Sequence, residues 1–110
     1  MPLLNVLVHN SIWRAAGTGI RGSESEIRSN LCRILGAPGH ACEILFVPCF
    51  GHQEQAKVTA ELRILPKPDT TKEKIYAAAL SVKESLSAAC NAQVTVRSTL
   101  LDPSEYIAIR

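Results

Sequence analysis

The pattern of apolar and polar positions divides the chain into strand-like and helix-like stretches. Pro2 to Val8 is rich in Leu and Val and predicts a first strand. The segment SESEIRSNLCRIL has apolar residues at helical spacing and predicts a helix with Ser23 as N-cap, Glu26 completing a capping box, and Gly36 ending it. Between these two elements, HNSIWRAAGTGIRG contains three glycines and no clean period, which predicts a loop.

The rest of the chain continues the alternation of strands and helices. CEILFVP is apolar at both parities, which is typical of a strand buried on both faces. VTAELRIL alternates, and predicts a strand whose buried side carries Val58, Ala60, Leu62 and Ile64. PKPDTTKEKIYAAALSVKESLSAAC predicts a second helix and VTVRSTLL a fourth strand, while the tail DPSEYIAIR predicts a turn and a short edge strand.

The order of elements is therefore strand, helix, strand, repeated about 50 residues later, which indicates a duplicated βαβ unit. The predicted fold class is α/β (α+β): one domain over 1–110 with pseudo-repeats at about 1–50 and 56–110. Right-handed crossovers in both units would place the two helices on one face of a four-stranded mixed sheet.

The other face of the predicted sheet is too polar for a second core and too apolar for a surface that faces only solvent. It carries, beside apolar side chains, the polar residues Glu61, Arg63, Thr95, Arg97 and Thr99. Subunits that close around a symmetry axis with this face inward would shelter the apolar positions and leave the polar ones in a wet centre. We therefore expect a homo-oligomer.

Composition and charge exclude several classes of partner. The net charge is +2 with acids and bases interspersed, and 5% of the residues are aromatic, so we expect no nucleic-acid partner. No apolar run reaches 18 residues and no basic region precedes the first apolar stretch, so we expect no membrane partner and no signal peptide. Four cysteines without a CxxC pair fit free thiols in a reducing compartment, which predicts a cytoplasmic protein.

The segment HACEILFVPCFGH contains four residues of the types that bind zinc, and it tests the possibility of a metal site. They are His40, Cys42, Cys49 and His52. A strand between the two cysteines would separate them by about 20 Å, whereas ligands of one zinc ion lie within about 2.3 Å of it. We therefore expect no metal and no cofactor.

Pro2 has two interpretations. A proline opens a strand harmlessly, because it lacks the N–H that an interior ladder position must donate. If Met1 is removed, Pro2 instead exposes a secondary amine. α-Amino groups titrate near pH 7.7–8.0, and burial or nearby positive charge lowers the pKa toward neutrality, where a general base is most effective.

Three stretches carry a family resemblance. MPLLNVLVHN resembles the start of the tautomerase superfamily, and ILGAPGHACEILFVP resembles the helix end, loop and strand of its macrophage migration inhibitory factor branch. VTVRSTLLDPSEYIAI resembles the last strand and tail of that branch and of the 5-carboxymethyl-2-hydroxymuconate isomerase branch. The resemblance implies a homotrimer with the sheets as an inner barrel. It also implies a cofactor-independent enzyme that moves a proton in a small unsaturated or keto carboxylate.

The resemblance also implies which residues form the site. Pro2 would be the general base, at a boundary between subunits. Lys67, in the loop after the third strand, would bind substrate, as would Arg97 and Arg63 on the polar face of the sheet. Tyr106 would supply a hydroxyl or a wall from the next subunit.

Alternatives stay open for these residues and for the function. The two arginines would pair with Glu61 inside the trimer, or the lysine would be a solvated loop charge. The sequence also departs from the family: Ala37 replaces a lysine of the first branch, and Cys42 or Glu43 and Asp69 stand where the second branch has arginines. Substrate specificity therefore does not carry over.

A non-catalytic module is the main rival hypothesis, because the same order of elements builds ferredoxin-like binding domains. An inactive trimer of tautomerase fold is the third. Met1 separates these hypotheses, since a proline nitrogen still bonded to Met1 is an amide with no basicity.

Overall fold

A computed structural model describes all residues 1–110 and contains four strands and three α-helices. The strands are β1 (Pro2–His9), β2 (Glu43–Cys49), β3 (Val58–Ile64) and β4 (Val94–Leu100). The helices are α1 (Asn10–Gly22), α2 (Glu24–Leu35) and α3 (Lys72–Cys90), and a single 3-10 turn (Gly39–Ala41) precedes β2. None of the helices combines the length and apolar character needed to cross a membrane.

The four strands form one mixed sheet in the order β2-β1-β3-β4. β1 and β2 are parallel, as are β3 and β4, and the two pairs meet through the antiparallel contact of β1 with β3. A parallel pair needs a long crossover, and the helices provide it in both halves. The predicted four-stranded α+β fold is therefore confirmed.

The core lies between one face of the sheet and the helices. Alternate residues of the two central strands point into it, all of them almost completely buried: Leu4, Val6, Val8, Val58, Ala60, Leu62 and Ile64. The helices contribute Ile20, Ile27, Leu31, Leu35, Ala78, Val82 and Leu86. Burying one aliphatic side chain of this size contributes about 1.5–3 kcal/mol, so this shared cluster holds sheet and helices together.

The prediction of a loop between the first strand and the first predicted helix is wrong, because this segment forms α1. His9 begins the helix as N-cap, with its Nδ1 accepting a hydrogen bond from the backbone N–H of Ser11 (3.1 Å). Ile12, Ala16 and Ile20 recur every four residues and pack on or in the core. This spacing was the helical signal that the glycines obscured.

The glycines of α1 make close packing possible. A Cβ on Gly17 would lie 3.2 Å from the Trp13 ring, which folds back over the helix. A Cβ on Gly19 would lie 3.1 Å from the carbonyl oxygen of Ala89 in α3, so this glycine lets two helices approach closely. Tertiary contact therefore offsets the low helix propensity of glycine.

The boundaries of α2 are nearly as predicted, with one correction. Ser23 is the N-cap, but its side chain makes no capping hydrogen bond, and its Oγ instead donates to the carbonyl of Ile20 at 2.6 Å. The predicted capping box with Glu26 is therefore wrong, because α1 ends immediately before Ser23 and offers it a carbonyl. Gly36 ends α2 in the left-handed region (φ 65°), as expected.

The face of the sheet opposite the helices is open in the single chain. On β2, Leu45 is 59% exposed and Val47 is 38% exposed, so the prediction of a strand buried on both faces does not hold within one chain. The tail after β4 forms the predicted turn, in which Ser104 and Glu105 donate backbone N–H groups to Asp102, but no edge strand follows it.

Candidate active site

The amino terminus is fixed in the sheet, not free in solvent. The Met1 amine donates to the carbonyl of Leu65, and the Leu65 N–H donates back to the carbonyl of Met1, both at 3.1 Å. The next pair, Pro2 with Ile64, therefore falls at a position where antiparallel strands exchange no hydrogen bonds. The proline leaves no donor missing there, and its ring is fully buried on the helix side of the sheet.

The surroundings of the terminus favour an uncharged amine. The pKa of the Met1 α-amine is lowered from its ordinary value, chiefly by burial and next by the positive charge of Lys67, while Cys42 opposes the shift. Both main causes disfavour the protonated form. Pro2 is the next residue in the strand, and its ring is fully buried, so an amine exposed there would also be removed in part from water.

Lys67 lies in the loop after β3 and reaches across to the end of α2. Its Nζ donates to the carbonyl of Gly36 at 2.7 Å and lies 4.0 Å from a carboxylate oxygen of Asp69. The side chain is half-exposed. Lys67 therefore places an ammonium group beside Ala37, the position where the inhibitory-factor branch was expected to carry a lysine.

Asp69 holds the loop that carries this lysine. Its carboxylate pairs with Lys74 at 3.4 Å, in the first turn of α3, and the two lysines lower the pKa of Asp69. Thr71 caps α3 by accepting a hydrogen bond from the Lys74 N–H at 3.2 Å. The path of the loop over Gly36 is thereby set by short polar contacts at both of its ends.

Cys42 was not predicted as a neighbour of the terminus. β1 and β2 are parallel with Leu3 opposite Glu43, so Cys42 comes directly before β2 at the level of Pro2. Its thiol is buried, which raises its pKa to about 11 and keeps it protonated at neutral pH. The sequence signal for this neighbour was the parallel pairing itself, which a single strand pattern does not reveal.

Arg63 and Arg97 lie on the open face of the sheet. Arg63 is opposite Leu3 and its guanidinium is 3.6 Å from the Glu61 carboxylate, while Arg97 is opposite Glu61 on β4. With Thr99 they line an open depression of about 410 Å³. Since the ring of Pro2 is on the helix side, the single chain does not bring these arginines to the proline.

Tyr106 follows the turn after β4. Its N–H donates to the carbonyl of Asp102 at 2.9 Å, and its side chain lines a shallow surface depression with Leu101 and Ile107. The tail starts close to the site, because the Leu101 N–H donates to Ile64, the partner of Pro2, at 2.9 Å. Beyond that residue the tail adds no strand to the sheet.

The sequence matches no family model, and no curated protein shows significant similarity to it. Several solved structures nevertheless have a fold similar to that of this chain. A domain of unknown function from Sebaldella termitidis is 18% identical with a TM-score of 0.74, covering 98% of this chain and 95% of that chain. Macrophage migration inhibitory factor of Toxoplasma gondii is 11% identical with a TM-score of 0.68, covering 96% and 95%. A fused 4-OT, solved as an asymmetric trimer, is 14% identical with a TM-score of 0.65, covering 89% and 86%.

The alignments span almost the whole of each chain, so the likeness concerns the complete arrangement of sheet and helices. Identities this low carry the architecture but not the chemistry of a site. By its architecture, the chain has the fold of the tautomerase superfamily.

Proposed function

We propose that the protein is a cofactor-independent tautomerase or isomerase of small unsaturated or keto carboxylates. Pro2, exposed by removal of Met1, is the general base. The observation that carries the proposal is the partly buried chain terminus near Lys67, where the pKa of the Met1 α-amine is lowered. A proline at this place combines a rigid secondary amine with surroundings that lower the pKa of an amine and so favour its proton-accepting form.

The mechanism follows from these two groups. The Pro2 nitrogen takes a proton from the carbon next to the substrate carbonyl, or from the hydroxyl of an enol, and the electron pair shifts along the conjugated system. The Lys67 ammonium binds the substrate carboxylate and stabilises the negative charge that develops on oxygen. The protonated proline then returns its proton to the other end of that system, so the amine is regenerated.

We propose that the protein works as a homotrimer in the cytoplasm. The exposed Leu45 and Val47 supply apolar surface for a subunit contact on the open face, and a fused 4-OT of the same fold forms a trimer. In that assembly the Arg63–Glu61 pair and Arg97 would line the centre. The Tyr106 side chain, which lies in the tail, would reach the site of a neighbouring subunit.

Two measurements test the proposal. Intact-mass spectrometry of the native protein should show that Met1 is absent; a retained Met1 favours the non-catalytic alternative. Conversion of phenylpyruvate or 2-hydroxymuconate should fall by about 10²-fold or more in Pro2→Ala, since positioned bases contribute about 10²–10⁴-fold. Equal rates for wild type and Pro2→Ala would rule out a catalytic proline.

A matched pair of lysine variants tests substrate binding. Lys67→Ala should raise KM for a carboxylate substrate, because it removes the ammonium beside the terminus. Lys83→Ala removes an equal charge from the exposed surface of α3 and should leave KM unchanged. A KM that responds to both variants equally would indicate a general charge effect and would contradict the assignment.

A further inference from the structure

We propose that Phe50 of one subunit binds in a groove between α3 and β4 of the next subunit. This contact joins opposite edges of the two sheets and is repeated around the ring. It rests on the homotrimer proposed above and specifies which surfaces meet in that assembly. It does not depend on a catalytic role of Pro2.

The large apolar side chains that the chain exposes lie in two groups. On β2 and directly after it these are Leu45, Val47 and Phe50. On α3, β4 and the tail after β4 these are Tyr76, Leu80, Leu100, Ile107 and Ile109. The sheet order places β2 and β4 at opposite edges. A contact between unlike edges of two copies would therefore draw on both groups at once.

The groove runs along the edge formed by β4. It has a volume of about 430 Å³, and its apolar lining consists of Tyr76, Ala79, Leu80, Val94 and Val96. A second depression of about 300 Å³ shares part of this lining and continues it to Lys72 and Ser98. The Oγ of Ser98 is buried without a hydrogen-bond partner, whereas native buried polar groups almost always have one. The groove is therefore incomplete in the single chain.

Phe50 is the side chain best placed to fill this groove. It follows directly after β2 and is 90% exposed, so its own chain offers the ring almost no cover. Neighbouring strands lie about 4.8 Å apart, so the edges formed by β2 and β4 are separated by roughly 14 Å across the sheet. The ring therefore has to enter the groove of another copy, where Tyr76 offers an aromatic contact.

The charges beside the two surfaces are complementary. Glu54 lies in the loop four residues after Phe50, and Lys72 lies at the end of the groove. Both side chains are exposed, and neither forms an ion pair within its own chain. Docking of Phe50 brings the loop with the carboxylate to the helix with the ammonium. Contact between two β2 edges would instead bring two carboxylates together, which disfavours that arrangement.

The contact is heterologous, because two different surfaces meet in it. Such contacts leave a free surface at each end of a chain of copies until the ring closes. A fused 4-OT of the same fold forms a trimer, which supports closure with three copies. Each subunit then gives its Phe50 to one neighbour and receives the Phe50 of the other.

Photochemical cross-linking tests which surfaces meet. The full-length protein carries p-benzoylphenylalanine in place of Phe50 and is irradiated in its assembled form. The product should have twice the mass of one chain on a denaturing gel. Peptide mapping should join position 50 to residues 76–83 or 93–96. A cross-link confined to one chain, or one to the β2 edge of the second chain, would overturn the proposal.

Matched variants test the contribution of the contact to assembly, measured by light scattering over a range of protein concentrations. Phe50→Asp should raise the dissociation constant about tenfold or more, because burial of a phenylalanine contributes a factor of that order. Ala79→Phe fills the groove from within its own chain and should weaken assembly similarly. Ala77→Phe makes the same change on the exposed surface of α3 outside the groove and should assemble like wild type.

The outcomes separate this contact from the other proposals. Circular dichroism checks that each variant is folded, and Phe50→Asp changes a side chain already in solvent. If wild type is a trimer and both Phe50→Asp and Ala79→Phe assemble equally well, the contact is wrong and the trimer stands. A wild type that stays monomeric at every concentration overturns both. The rate of Pro2→Ala decides on catalysis in either case.

Discussion

Gly36 connects the stability of the fold to the position of the proposed substrate-binding lysine, and its replacement tests both. It ends α2 with φ 65° and ψ 37°, a conformation that costs residues with a Cβ about 1–2 kcal/mol. A Cβ at this position would also lie 3.0 Å from the Nζ of Lys67, so the ammonium would have to move. Gly36→Ala therefore introduces backbone strain and displaces the lysine in one step.

The expected loss of unfolding free energy is about 1–3 kcal/mol. Backbone strain supplies about 1–2 kcal/mol of it. The hydrogen bond from Lys67 to the Gly36 carbonyl supplies at most about 1 kcal/mol, because the half-exposed lysine is screened by solvent. At roughly 4 °C per kcal/mol for a chain of this size, the melting temperature should fall by about 4–12 °C.

Urea unfolding followed by circular dichroism measures this loss. Gly39→Ala is the matched control, because its Cβ would meet nothing within 4 Å and its φ is not positive. Gly36→Asn separates the two effects. Asparagine tolerates the left-handed region, so stability should largely return, whereas its Cβ still displaces Lys67, so KM for a carboxylate substrate should be raised in both Gly36 variants. If Gly36→Ala unfolds at the same urea concentration as wild type, the assigned strain is wrong.

Three further predictions concern the terminus and α1. Lys67→Met should raise the pKa of the terminal amine, because it removes a nearby positive charge. The rising limb of the pH–rate profile follows deprotonation of the base, so it should move to higher pH. Lys67→Arg should leave the limb in place, and an unmoved limb in Lys67→Met would contradict the electrostatic argument. His9→Ala should cost about 1–2 kcal/mol of unfolding free energy, because it removes the N-cap of α1 and the hydrogen bond from the His9 Nε2 to the carbonyl of Gly51 (2.9 Å). Thermal melts measure this loss, and an unchanged melting temperature would show that neither contact stabilises the fold. Gly19→Ala should destabilise the protein by about 1 kcal/mol, because overpacking against α3 outweighs the helix propensity of alanine. Gly22→Ala has open space around its Cβ and should stabilise the protein by up to about 1 kcal/mol. If urea unfolding gives a change in unfolding free energy of the same sign for both variants, the close approach of α1 and α3 is not the explanation.

The local sequence pattern was sufficient to predict an element where one face of that element is buried and residues close in sequence decide its conformation. The alternation Val58, Ala60, Leu62, Ile64 predicted the buried face of β3, and Gly36 predicted the end of α2. The pattern was insufficient for α1, because Gly17 and Gly19 are explained only by a tryptophan four residues away and by a helix 70 residues later. A glycine in a sequence can mark a position without room for a Cβ as well as a flexible position, and the rest of the fold determines that room.

The candidate site divides in the same way. The sequence by itself determined that a proline opens the first strand, that the sheet has a mixed open face, and that Lys67 lies in a loop near the end of a strand. Only the tertiary structure decided that Lys67 reaches Gly36, that Cys42 lies beside the terminus, and that the arginines face away from the proline. Strand alternation follows from the local geometry of the backbone, whereas burial and charge around an amine depend on contacts between segments 31 to 64 residues apart, which no local pattern encodes.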